Sequence, residues 1–391
     1  MVVVGVTGGV ACSGEPFHSG EGGAGGVGGA GDAGEAGVAG GGDAGEGGNA
    51  GEGGSAGSED AGEGGNAGSP EVGGTGGHGG TGGRFDSGGT GGTGLGGNVG
   101  TAGISGGSAG SAGTGGEPPS CVGLSHTCGS PATGNCCAST VLPEGTFQRS
   151  NDPAAVAKVS SFRLDVYEVT VGRFRKFVAG YPGNKPIAGS GKNPNNSADP
   201  GWNANWPLPS SQDALKSAVS CEPGRNDTWT NSPGANESRP MNCLTRYVAG
   251  AFCIWDGGRL PTEAEWNYAA AGGDEQRRRP WSNPPSNDTM DPTYAVYATT
   301  LTAAVGAHSP KGDGLWGQAD MAGNIWEWVQ DSVAPYVMPC TNCANLTAGL
   351  DGVIRGGSYA EDGSYLFSWN RISDPPDKLS ADIGVRCVRT P

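Results

Sequence analysis

Two groups of residues in this chain have the types and spacing for chemistry: its cysteines and a few close carboxylates. Cys340-Thr341-Asn342-Cys343 has the gap common among zinc ligands, and the adjacent Cys136-Cys137 would supply two more thiolates. The rival reading is oxidation. Setting Cys12 aside, ten of the 11 cysteines remain, at 121, 128, 136, 137, 221, 243, 253, 340, 343 and 387. An even set reads as up to five disulfides made in an oxidising compartment. Only four histidines exist, two of them in the glycine-rich first part, so a zinc site has few partners to draw on. The stretch from Cys121 to Cys137 is too short for a core and reads as a disulfide-tied knot with open pairing. Glu263 and Glu265 invite an acid–base reading, but Thr262 and Glu265 already form a capping box, each satisfying the other's backbone N–H. No Ser, His and acid grouping for nucleophilic catalysis is visible.

The elements that must position these residues are short. Residues 162–169 alternate as a strand, Thr170 caps the helix that follows, and Val171, Phe174, Phe177 and Val178 form its buried face. A second helix starts at Thr245, buries Val248, Ala251, Phe252 and Trp255, and ends at Gly257-Gly258. Pro261 and the capping box open a third, running to Ala271. Between them, 181–240 is rich in Asn, Pro and Gly and reads as irregular loops around Trp202, Trp206 and Trp229.

The first 120 residues cannot build a core. They hold 51 of the 79 glycines and almost no large apolar side chains, so burial cannot offset chain entropy there. No Gly-X-Y period supports collagen. This part carries 13 of the 39 acids and a single base, Arg84, so most of the net charge of −16 sits in it. It reads as an acidic, disordered linker over 13–119. A basic patch is missing and such a tail repels phosphate, which excludes nucleic acid as a partner. Residues 1–12 end in Gly9-Val10-Ala11-Cys12, similar to a lipoprotein signal with Cys12 as the lipidated residue, although no basic segment precedes it. The organisation expected is a signal remnant (1–12), the linker (13–119), a small Cys-rich segment (120–139) and a folded domain (140–391).

Within that domain five blocks occur in order: Phe162-Arg-Leu-Asp-Val-Tyr-Glu-Val-Thr-Val-Gly-Arg-Phe, Gly258-Arg-Leu-Pro-Thr-Glu-Ala-Glu-Trp, Asp320-Met-Ala-Gly-Asn-Ile-Trp-Glu-Trp-Val, Ile354-Arg-Gly-Gly-Ser-Tyr and Ile383-Gly-Val-Arg-Cys-Val-Arg. Together they resemble the formylglycine-generating, or sulfatase-modifying factor, family. The resemblance implies a compact α+β domain of C-type-lectin-like fold with much irregular loop. It also implies an oxidase whose two cysteines hold copper shortly after the Gly-Gly-Ser-Tyr block. Here those places are Glu361 and Leu366, and no cysteine lies between Cys343 and Cys387. A soft thiolate pair suits copper(I), and a Glu and a Leu cannot replace it, so copper and formylglycine generation are not expected.

Other family features carry over residue by residue. The resemblance implies a disulfide between Cys253 and Cys387, leaving 221 with 243 and 340 with 343 as the simplest local pairs. It implies one calcium held by the side chains of Asp320 and Glu327 and the carbonyls of Gly323 and Ile325, hard oxygen donors that suit that ion. Trp326, Ser358 and Tyr365 match residues near the family's active site, where Glu361 would act as a general base or simply face solvent. Iron needs a histidine-rich site, and the folded part offers only His126 and His308. Two functions follow. One is a secreted or surface-tethered binding module for a peptide, glycan or small molecule, monomeric and touching a membrane only through a lipid anchor. The other is an oxidoreductase of the wider family using Glu361, Ser358 and Tyr365 on a different substrate.

Overall fold

The computed structural model describes residues 117–222 and 226–391. The expected lipidation site, Cys12, and the expected linker as far as residue 116 lie outside them. In chain order the elements are β1 (Ser139–Leu142), β2 (Gly145–Gln148), β3 (Val156–Val159), β4 (Phe162–Asp165), α1 (Val171–Gly180), α2 (Gln212–Ala218), α3 (Arg246–Trp255) and α4 (Glu263–Ala271). Then follow β5 (Trp326–Ser332), β6 (Cys340–Thr341), β7 (Gly352–Arg355), β8 (Arg371–Asp374), β9 (Ile383–Gly384) and β10 (Val388–Arg389). The class is α+β, with short helices, small sheets and long ordered loops between them.

The three caps read from the sequence are formed. Thr170 accepts the N–H of Arg173, Thr245 that of Val248, and Thr262 that of Glu265, whose carboxylate accepts the N–H of Thr262 in return. The strand before α1 is shorter than alternation implies and ends at Asp165, because that carboxylate turns inward to two arginines. A helix the sequence hides, α2, interrupts the irregular stretch; Ser211 caps it, but Leu215 is its one buried side chain, too weak a period to read. Trp255 is only partly buried, packed at the rim of the core rather than inside it.

Three sheets form, in the strand orders β1-β4-β10, β2-β3-β6 and β8-β7-β5-β9. The chain's last strand therefore pairs antiparallel with β4, and β9 pairs parallel with β5. The main core joins α1 and α3 through Phe174, Phe177 and Phe252 and closes on Trp326 and Trp328 of β5. A second core sets Trp266 and Tyr268 of α4 against Phe147 and Phe162.

A buried ionic quartet fastens these layers. Arg173 of α1 donates to Asp165 at 2.8 Å and to Asp256, which follows α3, at 2.7 Å. Arg389 of β10 donates to the same two aspartates. Asp256 also accepts the N–H of Ser120, whose hydroxyl takes the Nε–H of Arg173, so the Cys-rich segment is built into the domain. Each charge meets an opposite one, the condition for keeping ions in a dry interior.

The ten cysteines among the described residues are all paired, as 121–137, 128–136, 221–243, 253–387 and 340–343. The thiolates a zinc ion would need are therefore consumed. Among the described residues no helix is long and apolar enough to cross a membrane.

The 253–387 bond spans 134 residues and the 340–343 bond only 3. In the chain-entropy account the first constrains the unfolded chain far more. Replacing Cys253 and Cys387 by serine is expected to lower unfolding free energy by about 2–5 kcal/mol, while the same change at 340 and 343 costs much less. Denaturant melts of the two double variants check this, and equal losses would contradict it.

Candidate functional site

The candidate site is built where β7 runs out. After Arg355 the chain turns through Gly356 and Gly357 at φ of 103° and 77°, a region that favours glycine. A Cβ on Gly357 would also stand 2.6 Å from the Leu366 side chain. This turn delivers Ser358 and Glu361 against Trp326, the first residue of β5. The Trp326 indole donates to one oxygen of Glu361 at 2.8 Å, and the other accepts the Ser358 N–H at 2.9 Å and the Ser358 hydroxyl. Tyr365, 39% exposed, sets its ring edge-on to Trp326 with centroids 6.1 Å apart.

The structure thus brings together Trp326, Ser358, Glu361 and Tyr365, but gives Glu361 another task than a base. Neither sequence alternative, a free base or a solvated carboxylate, describes it: three donors hold it, and Asp362 is the one that faces solvent. Glu361 is a brace between β5 and the loop after β7. Leu366 is fully buried among Trp281, Ala295 and Ala322. Neither position offers a soft donor, so the residues present do not fit copper. His126 and His308 are not gathered: among the described residues no three His, Cys, Asp or Glu side chains group as a metal site.

Beside the cleft lies a buried acidic cluster. Gly323 N–H donates to Gly356 O and Tyr359 N–H to Asn324 O, so the turn carrying Asp320, Gly323 and Ile325 is stitched to the Ser358 loop. Asp320 accepts the Gly306 N–H on one oxygen, and burial pushes its carboxyl up to about 6. Glu327 gives both oxygens to the buried guanidinium of Arg386, with Nε 2.8 Å from each, and also accepts the Trp266 indole at 2.8 Å. Glu168 completes the cluster, holding Asn324 Nδ2 at 2.6 Å and the Ile325 N–H. Burial, then Asp320 and Glu327, raise its carboxyl well above the ordinary range.

For the expected calcium the donors are of the right kind, hard oxygens, but the three carboxylates do not group as a metal site among the described residues, and Glu327 gives both oxygens to Arg386. Of the two side-chain ligands, Asp320 has no cationic partner, whereas Glu327 shares its charge with Arg386. Glu168 and Arg386 stand in two of the sequence blocks, yet neither was readable as part of a site. Their roles depend on contacts spanning about 150 residues or on a partner 59 residues away.

The Glu263–Glu265 pair is committed to structure. Glu265 takes both Nη atoms of Arg259, at 2.7 and 2.6 Å, besides its cap, and Glu263 takes Arg371 at 2.8 Å and the Tyr336 hydroxyl at 3.1 Å.

The description of the sulfatase-modifying factor enzyme 1-like domain matches residues 126–391. The chain belongs to that family. It is 29% identical over 286 residues to the formylglycine-generating enzyme of Mus musculus, covering 63% of this chain and 73% of that one. It is 28% identical over 288 residues to the inactive C-alpha-formylglycine-generating enzyme 2 of Mus musculus, covering 63% and 84%. Among solved structures, PvdO from Pseudomonas aeruginosa is similar with a TM-score of 0.45 and 21% identity, covering 65% of this chain and 94% of that one. A relative named for the activity and one named inactive are similar to this chain at 29% and 28% identity, so overall similarity does not decide the chemistry of this family member.

A brace and a base respond differently to substitution. Glu361→Ala would leave the Trp326 indole and the Ser358 N–H without a partner, at a cost of about 2 kcal/mol, with Glu361→Gln losing less. Thermal melts with indole fluorescence check this; unchanged stability in both variants would remove the brace.

Proposed function

We propose that this sulfatase-modifying factor domain is an extracytoplasmic binding module that does not generate formylglycine. The observation that carries it is the pair Glu361 and Leu366. The first is a carboxylate held by three donors and the second a core side chain, at the positions where the family resemblance puts copper-binding sulfurs.

What the cleft keeps is suited to recognition. Tyr365 is exposed at its rim, and Phe367 and Trp369 stack at 4.3 Å, with Arg279 over Phe367 at 4.2 Å. Flat aromatic faces with adjoining cations fit a peptide or a glycan, and the sequence adds a small molecule as a third class. The domain acts as a monomer of lectin-like fold, carried on the acidic linker and, with Cys12 lipidated, anchored to a cell surface; intact-mass measurement reads that modification directly. One calcium belongs to this reading, held by Asp320, Glu327 and the carbonyls of Gly323 and Ile325, where it would offset the acidic cluster.

Three measurements test the proposal. Purified chain supplied with copper is expected to leave a Cys-x-Pro-x-Arg peptide unoxidised, and metal analysis is expected to find calcium without stoichiometric copper or iron. Turnover or a redox metal would install the oxidoreductase reading instead. Chelation is expected to lower the melting temperature of the native chain and to do little to Asp320→Asn; insensitivity of both would remove the calcium. On peptide and glycan arrays, Tyr365→Ala is expected to lose the binding that the unaltered chain displays.

A further inference from the structure

The Cys340-Thr341-Asn342-Cys343 disulfide is not accounted for by the cleft, and its surroundings differ from those of a simple staple. Arg149 is 4% exposed, and its contacts are carbonyls and sulfurs: Ala155 O at 3.3 Å, Val337 O at 2.7 Å, Met338 Sδ at 3.3 Å and, through Nη1, Cys343 Sγ at 3.6 Å. Its guanidinium also lies 4.3 Å over the Tyr336 ring. No carboxylate among these partners neutralises it. The nearby acids are occupied: Glu263 by Arg371, and Asp331 by the N–H groups of Glu263 and Asn345. A buried cation without a counter-ion is costly, and burial accordingly weakens the hold of Arg149 on its proton.

We propose that Cys340 and Cys343 are a redox-active pair that exchanges with a peptide or protein dithiol, and that Arg149 is the positioning residue for the Cys343 thiolate, its missing counter-ion. Three features support this. Cys343 is half-buried and lines a small surface pocket with Arg149, Tyr336, Val337 and Asn345, whereas Cys340 is buried in β6. Val337 and Met338 beside the pocket are exposed. Finally, the turn does not need the bond. Asn342 donates its N–H to Lys158 O at 2.9 Å, and its side chain pairs with Ser160 at 2.7 and 2.9 Å. Closing a loop of 3 residues adds little constraint to such a turn.

The step balances. A partner thiolate attacks Cys343 Sγ, forms the mixed disulfide and expels Cys340 as a thiolate, which takes up a proton. The partner's second thiolate then attacks its own sulfur in that mixed disulfide, closing the partner disulfide and releasing the Cys343 thiolate beside Arg149. The partner dithiol loses two electrons and the 340–343 bond gains them. Arg371 also favours the thiolate, while Glu263 and Asp331 oppose it and Tyr336 stays neutral below the range of its raised pKa; a guanidinium already in contact outweighs the more distant acids.

The full-length oxidised chain, equilibrated in graded reduced and oxidised glutathione and then in dithiothreitol, is alkylated and mapped by mass spectrometry. Cys340 and Cys343 are expected to be labelled while the other eight described cysteines stay paired. In a Cys340→Ser variant the Cys343 thiol is expected to titrate below the ordinary ~8.5, and adding Arg149→Met is expected to slow its alkylation at neutral pH about tenfold, with Arg149→Lys between. If the 340–343 pair opens with or after the others, or if Arg149→Met leaves the titration of Cys343 unchanged, the bond is structural and the proposal fails.

Discussion

The guanidinium of Arg386 is the interaction on which the site's architecture turns. It is fully buried in the segment between β9 and β10, holds both oxygens of Glu327, and donates to the carbonyls of Asp165, Val166 and Ala319. One side chain thereby ties β5 to the end of β4 and to the turn before Asp320. A dry interior permits this charge only because every direction around it carries an acceptor. The neighbouring Cys387–Cys253 bond and the Arg389 contacts with Asp165 and Asp256 extend the same logic, so that the last seven residues of the domain close three layers at once. The candidate site can consist of loops because its supports are so over-determined.

The side chains at 361 and 366 are both spent on contacts within the protein. At residue 361 a side chain two bonds longer than cysteine reaches the Trp326 indole and folds back on Ser358, satisfying donors that a smaller group would leave to water. At residue 366 an apolar side chain joins Trp281 and Ala322. Both side chains make their contacts within the protein. A base must keep a lone pair directed at the proton it removes, and Glu361 has its oxygens directed inward.

Local physics was legible in the sequence; long-range charge was not. Thr170, Thr245 and Thr262 announce their helices because a cap and its partner lie within three residues. The five sequence blocks were legible as a set, and with them the α+β class. Asp165 read as part of an alternating strand, because nothing in its neighbourhood reveals that Arg389, far along the chain, will meet it. Glu168 was unreadable for the same reason, and α2 because a single buried leucine leaves no period. The pairs 121–137 and 128–136 nest one inside the other, which spacing alone does not choose among the alternatives.

The acidic cluster and the cleft cannot be independent. Gly323 and Asn324 belong to the turn that would present carbonyl oxygens to a cation, and both are hydrogen-bonded to the loop that begins at Gly356 and carries Ser358 and Glu361. Glu168, Asp320 and Glu327 repel one another in a medium that screens little, with Arg386 compensating one charge of three. Asp320 and Asn324 in this turn hold φ values of 55° and 66°. Ser358, Glu361 and the buried Trp326 are therefore tied through these two hydrogen bonds to the turn that carries Asp320.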